Sequence, residues 1–124
     1  MKKIIIFLIF CMLFFSACSK PNKNNTANGN AEVKEFKMTA RQFYFSPDTI
    51  EVSRGDKVRL VISSIDVPHG ISIPEYGINE RLNPGEPVTI EFTADKEGTF
   101  TAFCSVFCGS GHGNMKGKII VKEK

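Results

Sequence analysis

The sequence predicts an all-β domain, a Greek-key β-sandwich of seven or eight short strands. From Ala31 onward, short runs alternate apolar with polar residues, and Gly, Pro, Asn and Asp punctuate them. No stretch of that region sustains the 3.6-residue apolar period of an amphipathic helix. About ninety residues cut up in this way suit two packed antiparallel-type layers. The 124 residues, 42% hydrophobic and 23% charged, leave room for one small domain with appendages.

The N-terminus reads as an appendage. Met1-Lys2-Lys3 precedes an uncharged run from Ile4 to Phe15, and Ser16-Ala17-Cys18 follows. A basic start, a twelve-residue apolar run and small residues make a secretory signal over 1–17, too short for a membrane span of about 20 residues. Phe15-Ser16-Ala17-Cys18 resembles a bacterial lipobox, with phenylalanine where leucine is usual, which implies lipidation of Cys18. Two acyl chains on a diacylglyceryl thioether give stable anchoring where one is marginal. The expected place is therefore the bacterial cell envelope, with the domain lipid-anchored to a membrane on its extracytoplasmic side. Residues 18–30 form the tether. Ser19 to Asn30 holds five asparagines and one aliphatic side chain, Ala27, so it cannot bury enough apolar surface to order itself. Twelve flexible residues reach roughly 20 Å.

The domain proper is expected over 31–124. Val33 to Met38 opens it, and Gln42-Phe-Tyr-Phe45 is an aromatic stretch ended by Ser46-Pro47-Asp48. Ile50 and Val52 alternate with Glu51 and Ser53 before the Arg54-Gly55-Asp56 turn. Lys57 to Ser63 places Val58, Leu60 and Ile62 on one face, and His69 to Ile73 points Ile71 and Ile73 inward. Val88 to Phe92 and Thr99 to Cys104 follow, and Gly117 to Val121 closes the chain's last strand. The aromatic residues Phe43, Tyr44, Phe45, Phe92, Phe100 and Phe103 are expected in the core, and Phe107 at an exposed loop suits a docking patch.

Charge excludes some functions. The formal charge is +3, and removal of Lys2 and Lys3 with the signal leaves 14 basic against 13 acidic residues, or +1. Without a basic run, nucleic acid is not an expected partner. No nucleophile paired with a base and no phosphate-binding loop is visible, so hydrolase and transferase chemistry are not expected of this chain.

Chemistry concentrates in Cys104-Ser-Val-Phe-Cys108-Gly-Ser-Gly-His112-Gly-Asn-Met115, which gathers two thiols, an imidazole and a thioether within twelve residues. A plain disulfide between Cys104 and Cys108 would leave the placing of His112 and Met115 unexplained. A structural zinc site has no use for methionine. Copper accounts for the whole set, because thiolate, imidazole and a weak axial thioether are the ligands of copper electron-transfer sites. Cys108, His112 and Met115, joined by His69 from upstream, would complete a mononuclear blue-copper site and leave Cys104 surplus. In a dinuclear site Cys104 is needed, since two cysteines on one loop can bridge both metals and leave one histidine to each.

The spacing C-x3-C-x3-H-x2-M resembles the CuA motif of cytochrome c oxidase subunit II. Asp66-Val-Pro-His69-Gly resembles that family's segment with the first histidine, and Leu82-Asn-Pro-Gly85-Glu86 its following loop. The likeness runs from about Arg41 to Val121 and is closest to the short subunit II of ba3-type oxidases. It implies a cupredoxin fold, with the ligand loop joining the last two strands and His69 reaching it from a neighbouring loop at the same end. It implies two copper ions: His69 and Met115 on one, His112 and the backbone carbonyl of Val106 on the other, Cys104 and Cys108 bridging. A cytochrome c-like electron donor and a haem-copper oxidase or other redox acceptor are the implied partners. Most members carry an acidic residue where Val106 stands, and the family's usual tryptophan for receiving electrons has no counterpart, the chain having no Trp. No run of spanning length matches the family's membrane helices. Periplasmic copper binding and delivery is the alternative to electron transfer. On this reading Cys11 leaves with the signal, Cys18 carries lipid, Cys104 and Cys108 hold metal, and no structural disulfide remains. Gly109, Gly111 and Gly113 are expected to supply positive φ where the loop wraps the metal.

Overall fold

The structure, a computed structural model, describes residues 32–124, so the signal, Cys18 and the tether lie outside the described residues. Nine strands form: β1 (Val33–Arg41), β2 (Tyr44–Ser46), β3 (Thr49–Ser53), β4 (Lys57–Ser64), β5 (His69–Ile73), β6 (Ile78–Leu82), β7 (Val88–Thr93), β8 (Gly98–Phe103) and β9 (Lys116–Lys122). They make two sheets, ordered β2-β1-β4-β7 and β3-β9-β8-β5-β6. β1 and β4 run parallel, as do β3 and β9, while neighbours such as β4 with β7 and β8 with β9 are antiparallel. Parallel pairs from distant parts of the chain force crossovers between the sheets, and this gives the sandwich its key-like winding. Among the described residues, no helix is long and apolar enough to cross a membrane.

Alternation decides which residues fill the space between the layers. Along β4 every second residue is buried, so Val58, Leu60 and Ile62 face inward with Ile90 of β7 beside them. From the other sheet come Ile50, Val52, Ile71, Ile73, Ile119 and Val121. Each such side chain contributes about 1.5–3 kcal/mol by leaving water. β5 departs from alternation, for all five of its residues are buried. It lies between β8 and β6, and the loop after β8 covers its outer side at Gly70.

Two expectations need correction. β6 was not foreseen, because only its end residues Ile78 and Leu82 are buried and the three polar residues between them give no alternating pattern. Within the aromatic stretch, Gln42 and Phe43 are the turn between β1 and β2. The aromatic residues also divide: Phe45 is in the core and Phe92 and Phe100 pack against it, but Tyr44 is 46% exposed and Phe103 36%. Tyr44 points outward from a three-residue edge strand under the guanidinium of Arg41, 5.3 Å from its ring centroid. Phe107 is 77% exposed, as expected of the loop.

Candidate metal centre

Three connections converge at one end of the sandwich. The parallel pairing of β1 with β4 brings their C-terminal ends together, so the Gln42-Phe43 turn lies beside the β4–β5 loop that carries Asp66. The third is the segment Cys104–Met115 between β8 and β9, closed at its neck by a hydrogen bond from the Cys104 N–H to the Met115 carbonyl at 3.0 Å. Just outside that neck Phe103 and Lys116 are the last ladder pair.

The donors predicted from sequence meet here. Cys104 and Cys108 are free thiols with sulfurs 3.8 Å apart. The Cys104 sulfur lies 3.9 Å from Nδ1 of His69 and 3.1 Å from the carbonyl oxygen of Val106. The Cys108 sulfur lies 3.8 Å from Nδ1 of His112 and 3.9 Å from the Met115 sulfur. His69, Cys104, Cys108 and Met115 are buried, His112 half-buried. One cluster thus contains a carbonyl, two imidazoles, two thiols and a thioether, a soft set that fits copper better than the oxygen-liking cations.

His69 is held firmly. Its Nε2 bonds an oxygen of Asp66 at 2.7 Å, so the proton sits on that nitrogen and Nδ1 offers its lone pair to the thiol side. Asp66 was part of the motif but had no assigned role. Its carboxylate is pushed up by partial burial, yet the Gln42 N–H, the His69 ring and the Val67 N–H together hold it below the usual value. Its stabilising contribution is therefore full above the ordinary carboxylate range and is lost only as pH falls through the lowered value. Ser64, buried at the end of β4, donates to the Val67 carbonyl and shapes the same loop. At Cys108, burial and then the neighbouring Cys104 thiol push the pKa up to about 11. At neutral pH this thiol is protonated.

The glycines serve in a way other than expected. Of the three in the loop, Gly109 alone has positive φ, +132°. At Gly111 the constraint is space, because a Cβ would fall 2.4 Å from the Phe43 ring. Gly113 would meet nothing within 4 Å. Phe43 thus underlies the loop. Gly70 is constrained by space as well: its Cβ would lie 2.3 Å from Ser105 Oγ and 2.9 Å from the Val106 backbone nitrogen, a closeness that residue type alone does not reveal. Close approach of β5 to the loop brings His69 beside Cys104.

Residues 4–121 match the cupredoxin-like domain family. Cytochrome c oxidase subunit 2 of Thermus thermophilus is 40% identical over 86 residues, covering 69% of this chain and 64% of that one. Nitrous-oxide reductase of Cupriavidus necator is 30% identical over 118 residues, covering 92% of this chain and 18% of that one. The chain therefore spans just under two thirds of the first relative and under a fifth of the second. The crystal structure of the periplasmic domain of subunit II of cytochrome oxidase from Bradyrhizobium japonicum superposes with a TM-score of 0.68 at 24% identity, over 73% of this chain and 85% of that one, a likeness of fold. With its two sheets, its β8–β9 donor loop and these matches, the chain belongs to the cupredoxin-like domain family and is related to oxidase subunit II.

Proposed function

We propose that this domain transfers electrons through a dinuclear copper centre of the CuA kind. His69, Cys104, the Val106 carbonyl, Cys108, His112 and Met115 would hold it. One observation carries the reading: two thiols 3.8 Å apart each have their own imidazole, His69 at 3.9 Å from Cys104 and His112 at 3.8 Å from Cys108. A mononuclear site has no use for the second thiol. Bound copper supplies one-electron chemistry. The chain's part is to fix the ligands in advance: the buried Nδ1 of His69 is aimed by Asp66, and donors that need not move keep the cost of changing oxidation state low. Burial of four of the five side-chain donors favours holding copper over handing it to another protein. For Cys108 to hold copper it would have to give up its proton, so affinity should fall as pH falls.

The relatives suggest the setting. In it the domain receives electrons from a cytochrome c-like donor and passes them to a haem-copper oxidase or other respiratory acceptor. We further assign Cys18 as a lipid anchor in the cell envelope and residues 18–30 as the leash. Mass spectrometry of the mature N-terminus tests this, and an unmodified N-terminus at another residue would sink it.

Reconstitution tests the centre. The protein should take up two coppers per chain and give an EPR signal of one electron shared over both ions. A single copper with a four-line spectrum rejects the dinuclear reading. Cys104→Ser should then convert the centre to a mononuclear one, because Cys108, His112, Met115 and His69 remain.

A further inference from the structure

We propose that Gln42 is a positioning residue of the metal centre, joining the two chain segments that carry its ligands; this rests on the copper reading above. Gln42 follows β1 and offers two donors in different directions. Its backbone N–H donates to one oxygen of Asp66 at 2.7 Å, and its side-chain Nε2 donates to the Cys108 carbonyl at 2.6 Å. The other Asp66 oxygen accepts from His69 Nε2 at 2.7 Å. An unbroken line of hydrogen bonds thus runs from the His69 ring through Asp66 and Gln42 to the Cys108 peptide.

The strand ladder does not supply this tie. Among the described residues β5 and β8 are paired at one register position, Ser72 with Phe103, and no ladder pair includes Asp66 or Cys108. The Gln42 amide also has a built seat. A Cβ at residue 109 would lie 3.0 Å from its Nε2, so the absence of a side chain at Gly109 lets the amide lie against the loop. Fixing the Cys108 peptide fixes the direction of its sulfur, which faces Cys104, His112 and Met115. Gln42 touches none of the reacting atoms and acts through Cys108 and Asp66.

The test compares Gln42→Met, which keeps length and volume but has no donor, with Gln42→Glu, which sets an acceptor against the Cys108 carbonyl at neutral pH. Copper-loaded Gln42→Met should lose copper to bathocuproine disulfonate about tenfold faster than the wild type, the low end for loss of an outer-sphere partner. Its thiolate-to-copper absorption bands should shift, while the melting temperature of the copper-free protein stays within a few degrees. Gln42→Glu should show both effects more strongly and serves if the methionine variant fails to fold. Wild-type release rates and bands in both variants would overturn the proposal. So would a lowered copper-free melting temperature with unchanged bands, because Gln42 would then be an ordinary loop brace. A wild-type protein that takes up no copper would fail at the underlying reading, before any variant is compared.

Discussion

His69 and His112 present the same ring nitrogen, each to its own thiol, yet their surroundings are opposites. His69 begins a strand buried along its whole length, is itself 0% exposed, and has its far nitrogen tied to Asp66. His112, between Gly111 and Gly113, begins a three-residue 3-10 turn, is half-buried, and lies 5.6 Å from the exposed ring of Phe107, centroid to centroid. The sandwich therefore fixes one flank of the site, and the loop presents the other to solvent. Rigidity and access are assigned to different ligands, so they can be perturbed separately.

Removing each ring in turn tests this division most severely. His69→Gly should empty a closed volume at a cost of about 2–5 kcal/mol in stability, and added imidazole should not restore the copper bands. His112→Gly should cost far less stability, and millimolar imidazole should enter from solvent and restore the bands. Equal rescue at both positions, read by visible absorption, would break the comparison.

The glycines give the next contrast. Gly70→Ala should cost about 1–3 kcal/mol as an overpacked contact and disturb the copper spectrum, because the Val106 backbone must move. Gly113→Ala meets open space and should stay within about 0.5 kcal/mol of wild type. Denaturant melts of both variants read the difference. The smallest effect is expected at Met115, buried beside the Cys108 sulfur. On the copper reading, Met115→Leu should retain the metal and shift the midpoint potential, since a weakly bound thioether would tune more than it holds. Loss of copper in that variant would make Met115 a structural ligand.

Most of the fold could be read from the sequence because alternation reports burial directly. Val58, Leu60 and Ile62 show the period plainly, whereas β6 escapes because its middle residues are all exposed. The donors were legible for another reason: four of them share one short loop, and their chemistry shows in residue type alone. What supports them was not legible. Asp66 can be seen three residues before His69, but its bond to the ring depends on how the loop turns. Gln42 stands 66 residues from Cys108, and its neighbours in sequence give no sign of that partner. Phe43 looks like an ordinary core aromatic until the fold lays it under Gly111.

The hydrogen bond at the neck of the donor loop makes the segment a cassette. Because Cys104 and Met115 bond to each other where the Phe103–Lys116 ladder pair ends, the β8–β9 pairing depends only on the two ends of the loop. Donors can be gained, lost or respaced inside that closed ring without altering how β8 and β9 pair. Exchange of that dozen-residue segment should therefore leave the sandwich intact, and a melt of a loop-exchanged variant would read whether it does.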